Sequence, residues 1–311
     1  MRDPTAAGDS FEVLTQDLVQ LETKPFRARR ISVRLEDSVA VFHSTNLRVR
    51  ARTTLHAPML AFIVLGPHAR GTLNGLPLLP DVMMAAESGV QVEFVVEPGY
   101  ESVTVLVPPA LIESHFAARQ REEPFRPPIA IETFNARPDH ARGLFDWGAR
   151  LAKTAAQQPA LFNGRKEVLI AAQTELLEML LATLDATTAR QCTRSDNKRQ
   201  AHSRVVRLAE DYALAHTGDY LYIKDLCVAA EVSERALEYA FLEIMGMSPV
   251  AYLTRLRLHR VRQALRVATL GSTTVSAEAL NWGFWHFGDF SRAYRKCFGE
   301  LPSETLRRSA S

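Results

Sequence analysis

The chain has 311 residues, 47% of them hydrophobic and 23% charged. This length exceeds one ordinary domain and the composition excludes a disordered or fibrous protein, so two globular domains are expected. The 37 basic and 35 acidic residues leave a formal charge of +2, a total that excludes an overall strongly acidic or basic protein and says nothing more about partners. In chain order, Phe11, Leu14, Leu18 and Leu21 stand at helical spacing and predict an amphipathic helix. Strand-like segments follow: Ile31, Val33 and Leu35 alternate with polar residues, as do Leu47 and Val49, and Leu60 to Leu65, Val90 to Val96 and Val103 to Val107 are buried-type runs. Turn signals at Gly66-Pro67, Asn74-Gly75, Ser88-Gly89 and Pro98-Gly99 punctuate them. Residues 25–110 therefore read as mostly β, in a barrel or sandwich. Beyond Pro138 the period changes, and two helices, Ala141 to Ala156 and Lys166 to Leu184, close this part as a hairpin.

Residues 186–203 lack hydrophobic periodicity and read as a linker between a domain at 1–185 and one at 204–311. Downstream the pattern is helical. One helix carries Val205, Leu208 and Tyr212, and a short one carries Ile223, Leu226 and Ala229. Ser233 caps a third with Leu237, Phe241 and Ile244 inward, which Gly246 stops. Ser248 and Pro249 restart the chain into a long helix reaching Arg266, and two more helices follow, separated at Gly283. The fold class expected is α+β, with a β-rich N-terminal domain and an all-α C-terminal one.

The near-zero charge conceals an asymmetry. From Lys198 onward there are 16 Lys plus Arg against 12 Asp plus Glu, leaving 21 against 23 upstream. Arg255, Arg257, Arg260, Arg262 and Arg266 fall in a stretch without an acid, unlike an ordinary solvated helix face.

The helical third also repeats itself. Leu237, Tyr239, Phe241, Gly246 and Pro249 recur as Phe290, Arg292, Tyr294, Gly299 and Pro302; at an offset one residue shorter, Cys227, Glu231 and Val232 recur as Ala279, Gly283 and Phe284. Each unit reads as short helix, tight turn and second helix, at about 223–245 and 275–298. That is the pattern of a helix-turn-helix, whose second helix enters a DNA major groove. A connecting helix of about 25 Å would set two such helices in successive major grooves.

Residues 233–265 and 281–307, with Gly283-Phe284, Phe290, Arg292, Tyr294, Phe298-Gly299 and Pro302, resemble the tandem helix-turn-helix domain of AraC/XylS-type transcriptional regulators. The resemblance spans Val205 to Arg307. It implies double-stranded promoter DNA and RNA polymerase as partners, activation of transcription, and a regulatory N-terminal half that binds an effector or mediates homodimerisation. Three residues depart from the family pattern: Glu278 where an apolar residue is usual, Glu231 in place of a turn glycine, and Asp289 where phosphate would repel it.

With Leu237 and Phe241 inward, Arg235, Glu238 and Tyr239 project from the first recognition helix. Arginine suits guanine O6 and N7, glutamate accepts from cytosine N4, and tyrosine reaches phosphate or a thymine methyl. In the second, Phe287, Ser291 and Arg292 face outward with His286 at the edge. These positions match the family's contact positions. Ser233, Arg257 and Arg260 are the phosphate-contact candidates; the bland alternative is that the arginines of the long helix pair with neighbouring acids.

The competing reading is a β-barrel small-molecule-binding or enzymatic protein whose helical part only mediates interactions. No GxSxG, phosphate loop or Rossmann fingerprint occurs, and His43, His56 and His68 are too dispersed for a metal centre, so no catalysis, cofactor or metal is expected. Cys192, Cys227 and Cys297 offer neither a CxxC pair nor a disulfide framework; Cys227 and Cys297 are expected in helix cores. The longest apolar stretch, Ala57 to Pro67, is too short to span a bilayer, and Met1 to Gly8 contains Asp3 and Pro4 instead of an apolar signal core. A cytoplasmic protein without membrane attachment is expected.

Overall fold

The computed structural model describes residues 14–118, 125–162, 165–217, 221–269 and 271–309. β1 (Leu14–Gln20) pairs with β4 (Val49–Leu55), and the sheet continues through β9 (Gln91–Val96), β6 (Gly71–Leu73) and β7 (Leu76–Pro77). A second sheet runs in the order β12 (Thr188–Ala189), β11 (Ile131–Asn135), β8 (Val82–Ala86), β5 (Leu60–Leu65), β10 (Tyr100–Val107), β3 (Val39–Thr45) and β2 (Ala28–Arg34). All the pairings are antiparallel. The sheets share an interior that includes Leu18, Ala51 and Phe94 from the first and Ile63, Met84 and Tyr100 from the second. The architecture is a sandwich, with no closed barrel among the described residues.

Both sheets are covered on their outer faces; in the second this makes β5 and β8 read as apolar runs, whereas β1 and β4 of the first carry Asp17, Arg50 and Arg52 on the covered face. In β5 every residue is buried: Ile63 and Leu65 face the opposite sheet, while Phe62 and Val64 face helices. Those helices are α2 (Pro138–Gln157) and α3 (Lys166–Asp185), which follow the short α1 (Pro109–Ala118). Phe145 and Trp147 of α2 and Leu176 and Leu180 of α3 pack with Val33, Phe42 and Val103. The approach is close at Gly148, where a Cβ would stand 2.5 Å from Val103 Cγ1.

The C-terminal helices are α4 (Arg194–Ala215), α5 (Ile223–Ala229), α6 (Glu234–Met245), α7 (Pro249–Val267), α8 (Val275–Asn281), α9 (Phe287–Phe298) and α10 (Pro302–Ser309), of which α4, α6 and α7 pack on the outer face of the first sheet. Val19, Leu21 and Val95 enter one core with Val206, Ala209, Phe241 and Tyr252. A second core joins Leu258, Val261 and Leu265 of α7 to Phe290, Tyr294 and Cys297 of α9. No helix among the described residues is long and apolar enough to cross a membrane.

Two segments differ from their expected structure. The amphipathic helix proposed for Phe11 to Leu21 is a strand from Leu14, and Phe11 lies outside the described residues. Leu14 and Leu18 face the sandwich interior while Val19 and Leu21 face the C-terminal helices, so a strand covered on both sides produces the spacing of a helix. Residues 186–203, expected to be irregular, contain β12 and the first turns of α4. The signal was a polar one: Thr193 and Asp196 form a capping box, with the Thr193 hydroxyl accepting from the Asp196 N–H at 3.1 Å and the Asp196 carboxylate accepting from the Thr193 N–H at 3.0 Å.

Candidate nucleic-acid interface

The first two-helix unit is α5, a turn through Glu231, and α6. Ser233 caps α6, its hydroxyl accepting from the Ala236 N–H at 3.3 Å, and Gly246 ends it at φ 71°. Leu237, Ala240, Phe241 and Ile244 are buried, which leaves Arg235, Glu238 and Tyr239 exposed. Tyr239 is partly engaged by α4: the His202 ring meets it edge-on at 5.3 Å and Lys198 Nζ lies 4.9 Å from its ring centroid. His202 itself pairs with Glu243.

The second unit is α8, a turn through Gly283, and α9. His286 occupies the N-cap position, Phe290, Tyr294 and Cys297 are buried, and the Tyr294 hydroxyl is bonded to Thr305 at 2.8 Å. His286, Phe287 and Arg292 are exposed and Ser291 is half-buried. Trp282 packs into the core, and Trp285 is about half exposed.

The departures acquire physical explanations. Glu278 accepts from the Thr273 hydroxyl at 2.7 Å and sits in the first turn of α8, where the positive helix end favours a carboxylate. Asp289 pairs with Arg292 on the same helix face, which reduces its repulsion of a phosphate. Glu231 adopts φ 56°, the left-handed region that its counterpart Gly283 occupies at φ 75°. Because an L-residue there costs about 1–2 kcal/mol, partly offset by glycine's greater unfolded freedom, Glu231→Gly is expected to stabilise the protein by roughly 0.5–1 kcal/mol. Urea denaturation checks this; unchanged or lower stability counts against strain at the turn.

The connecting helix α7 has 19 residues, a length of about 28 Å. Its arginines are largely spoken for. Arg260 pairs with Asp17 of β1 at 2.8 Å, Arg262 pairs with Glu300 at 2.7 Å, and Arg255 donates to the Gln20 carbonyl at 3.4 Å. Arg260, a phosphate candidate by sequence, thus serves the contact with β1 in this arrangement. Arg257 is half-buried beside Gly283, whose added Cβ would lie 3.3 Å from its Nη1, and burial lowers its pKa. Among the cysteines, Cys297 is buried, Cys227 is half-buried and Cys192 is exposed; burial pushes the Cys297 thiol up to about 11.

An ion cluster with no local signal in the sequence lies between the first sheet and these helices. Arg50 of β4 is fully buried, reaching Asp17 at 2.7 Å and Glu93 of β9 at 3.8 Å and lying against Glu210 of α4. Its Nε donates to the Tyr252 hydroxyl at 3.1 Å, and that hydroxyl donates to Glu210 at 2.6 Å. Arg52 adds bonds to Asp211 at 2.7 Å and Glu93 at 3.2 Å. Burial opposes the charge on Arg50, but Tyr252, Asp17 and Glu93 outweigh it and raise its pKa. Burial likewise disfavours the Asp17 carboxylate, and Arg50 and Arg260 outweigh that, holding its pKa below the usual carboxylate range. Nearby, the Gln20 N–H donates to His259 Nε2 at 3.0 Å, so this imidazole carries no proton on that nitrogen.

Comparisons with known proteins fall on the helical third. Residues 226–308 match a family model described as a helix-turn-helix domain. The probable thc operon regulatory protein of Rhodococcus erythropolis is 37% identical over 103 residues, covering 33% of this chain and 31% of that protein. XylDLEGF operon transcriptional activator 3 of Pseudomonas putida is 33% identical over 135 residues, 43% of this chain and 38% of that protein. The crystal structure of a probable AraC family transcriptional regulator from Rhodopseudomonas palustris is 38% identical, covering 34% of this chain and 98% of that one, with a TM-score of 0.32. The chain spans about a third of the length of these curated relatives.

Proposed function

From a helix-turn-helix region that belongs to the AraC/XylS family, we propose that this chain is a sequence-specific DNA-binding transcriptional regulator. It acts in the cytoplasm as an activator through contact with RNA polymerase, and its N-terminal sandwich and helical hairpin bind a small effector or a second copy of the chain. The observation that carries the reading is the doubled unit: α6 and α9 each bury one apolar face and leave Arg235 and Glu238, or Phe287 and Arg292, open to solvent. Arg235, Glu238 and Arg292 read base edges. Tyr239, His286, Phe287 and Ser291 support them, and Ser233 and Arg257 anchor phosphates. Glu231, Glu278 and Asp289 do not conflict with this role, since each is accommodated locally.

The full-length protein is tested by selecting a binding site from random duplex DNA and measuring affinity by fluorescence anisotropy at rising salt. Affinity should fall linearly on a logarithmic scale as phosphate-bound counterions are released; no binding at low salt, or none of this salt dependence, overturns the reading. On the selected site Arg235→Ala is expected to cost about 1–3 kcal/mol and to relax preference at one base pair, whereas Arg257→Ala weakens all sequences alike. Equal losses on selected and random DNA for Arg235→Ala would remove its base-reading role.

A further inference from the structure

We propose that Arg194 and Lys198, in the first two turns of α4, bind the sugar-phosphate backbone of DNA beside the first helix-turn-helix unit. The inference rests on the regulator reading above and adds to it a contact surface that lies outside both two-helix units.

Arg194, Lys198 and His202 stand four positions apart, so they share one face of α4 and follow each other at about 6 Å along its axis. That face meets α6. The His202 ring lies edge-on to Tyr239 and pairs with Glu243, one turn further along α6, while Lys198 Nζ stands 4.9 Å from the Tyr239 ring centroid. Tyr239 belongs to the solvent face of α6 that also presents Arg235 and Glu238. Lys198 is thereby placed at the rim of the face that reads DNA, and the exposed Arg194 extends this rim by one turn. The arrangement is fixed on three sides. Val206 and Ala209 of α4 share a core with Leu237, Ala240 and Phe241 of α6. Thr193 caps α4, and the Arg199 backbone lies against the β6–β7 turn, where a Cβ on Gly75 would stand 2.4 Å from its carbonyl oxygen.

The charge of this face has one sign. The residues three and four positions from Lys198 are Arg194, Ser195, Ala201 and His202, and those that follow Arg194 at this spacing are Asn197 and Lys198. None is acidic, whereas a helix face stabilised in water by ion pairs alternates its signs. Asp196 is buried and accepts from the Thr193 N–H and hydroxyl at 3.0 and 2.9 Å, and Glu243 is taken by His202. Among the described residues neither Arg194 nor Lys198 forms an ion pair. Two cations one turn apart repel each other until an anion lies along both, and a phosphate backbone supplies such anions in a row. The Tyr239 ring does not compete with this, because the ammonium group has three N–H donors and rests on the ring by one side only.

The test uses full-length protein, the selected DNA site and a random duplex of equal length, with affinity measured by anisotropy across a range of salt. In the double variant Arg194→Gln with Lys198→Gln, the slope of log affinity against log salt should shrink by about 1–2, because each phosphate contact contributes about 0.9. Affinity at low salt should fall at least about tenfold, by the same factor on both duplexes. Arg204→Gln removes an equal charge from an exposed position about 120° around α4 from Lys198 and should change the slope by less than about 0.5. Phosphate ethylation interference on the selected site should lose one or more positions flanking the bases read by the first unit in the double variant and keep the others. Circular dichroism checks that each variant is folded. An unchanged slope in the double variant, an equal loss in Arg204→Gln, or an unchanged ethylation pattern overturns the backbone contact. So does a lost preference at one base pair with the slope intact, which would assign Lys198 to holding Tyr239 alone. Failure of the regulator reading shows separately, as wild-type protein that binds neither duplex in a salt-dependent way.

Discussion

Replacing Arg50 with methionine is expected to destabilise the protein by about 3–5 kcal/mol, the cost of leaving buried charges without their partner. The guanidinium is completely buried and is shared by Asp17, Glu93, Glu210 and the Tyr252 hydroxyl. Without it, Glu93 and Glu210 remain buried in a site where Arg52 alone approaches both, at 3.2 and 3.5 Å. The intact cluster is not expected to add comparable stability over an apolar replacement, because taking its charges out of water offsets their attraction. A second substitution separates these effects: Glu210→Leu in the Arg50→Met background should recover part of the loss. Urea denaturation of the single and double variants checks both. A single variant within about 1 kcal/mol of wild type would show that the cluster does not act as a unit. Acid should weaken the same contact. Because the Asp17 pKa is lowered on folding, its contribution is present above the ordinary carboxyl value of 3.8 and is lost as pH falls through the lowered one.

The second large effect concerns His43. Its pKa falls from 6.5 to about 3 on folding, through burial first and the neighbouring Arg30 charge second. Between these values the unfolded chain takes up a proton that the folded protein refuses, so stability declines as pH drops below 6.5 and levels off near 3. From pH 7 to pH 4 this amounts to about 3 kcal/mol. His43→Gln removes the titration, and the difference in unfolding free energy between wild type and variant should change by that amount over the interval. Other titrating groups cancel in the comparison to the extent that the substitution leaves them undisturbed. A difference that stays constant with pH would place His43 in water.

The helical third was legible because its signals are local. Ser233, Gly246, Ser248 and Pro249 mark helix ends through their own backbone and side-chain chemistry, and each stands at such an end in the structure. The repeat then fixed which residues of α6 and α9 face inward, since Leu237, Phe241, Phe290 and Tyr294 could not be both buried and available to DNA. Local pattern failed where two layers cover one strand. β1 carries apolar residues toward the sandwich and toward the C-terminal helices, and its spacing imitates a helix. β11 and α1 passed unnoticed for the opposite reason: β11 is only half-buried, and α1 has Ile112 as its single buried residue.

The sequence by itself determined the doubled helix-turn-helix, the β-rich half before it and the outward residues of α6 and α9, because helix ends and hydrophobic periods are written in near neighbours. Tertiary structure alone decided the fate of the charges. Arg50 and Glu210 are 160 positions apart, and Arg260 and Asp17 are 243 apart. A charge declares its sign in the sequence, but its partner and its solvation depend on which surfaces fold against each other. Thus Arg260, a phosphate-contact candidate by sequence, pairs with Asp17 of β1, and the small net charge of the chain contains a buried cluster that joins its two halves.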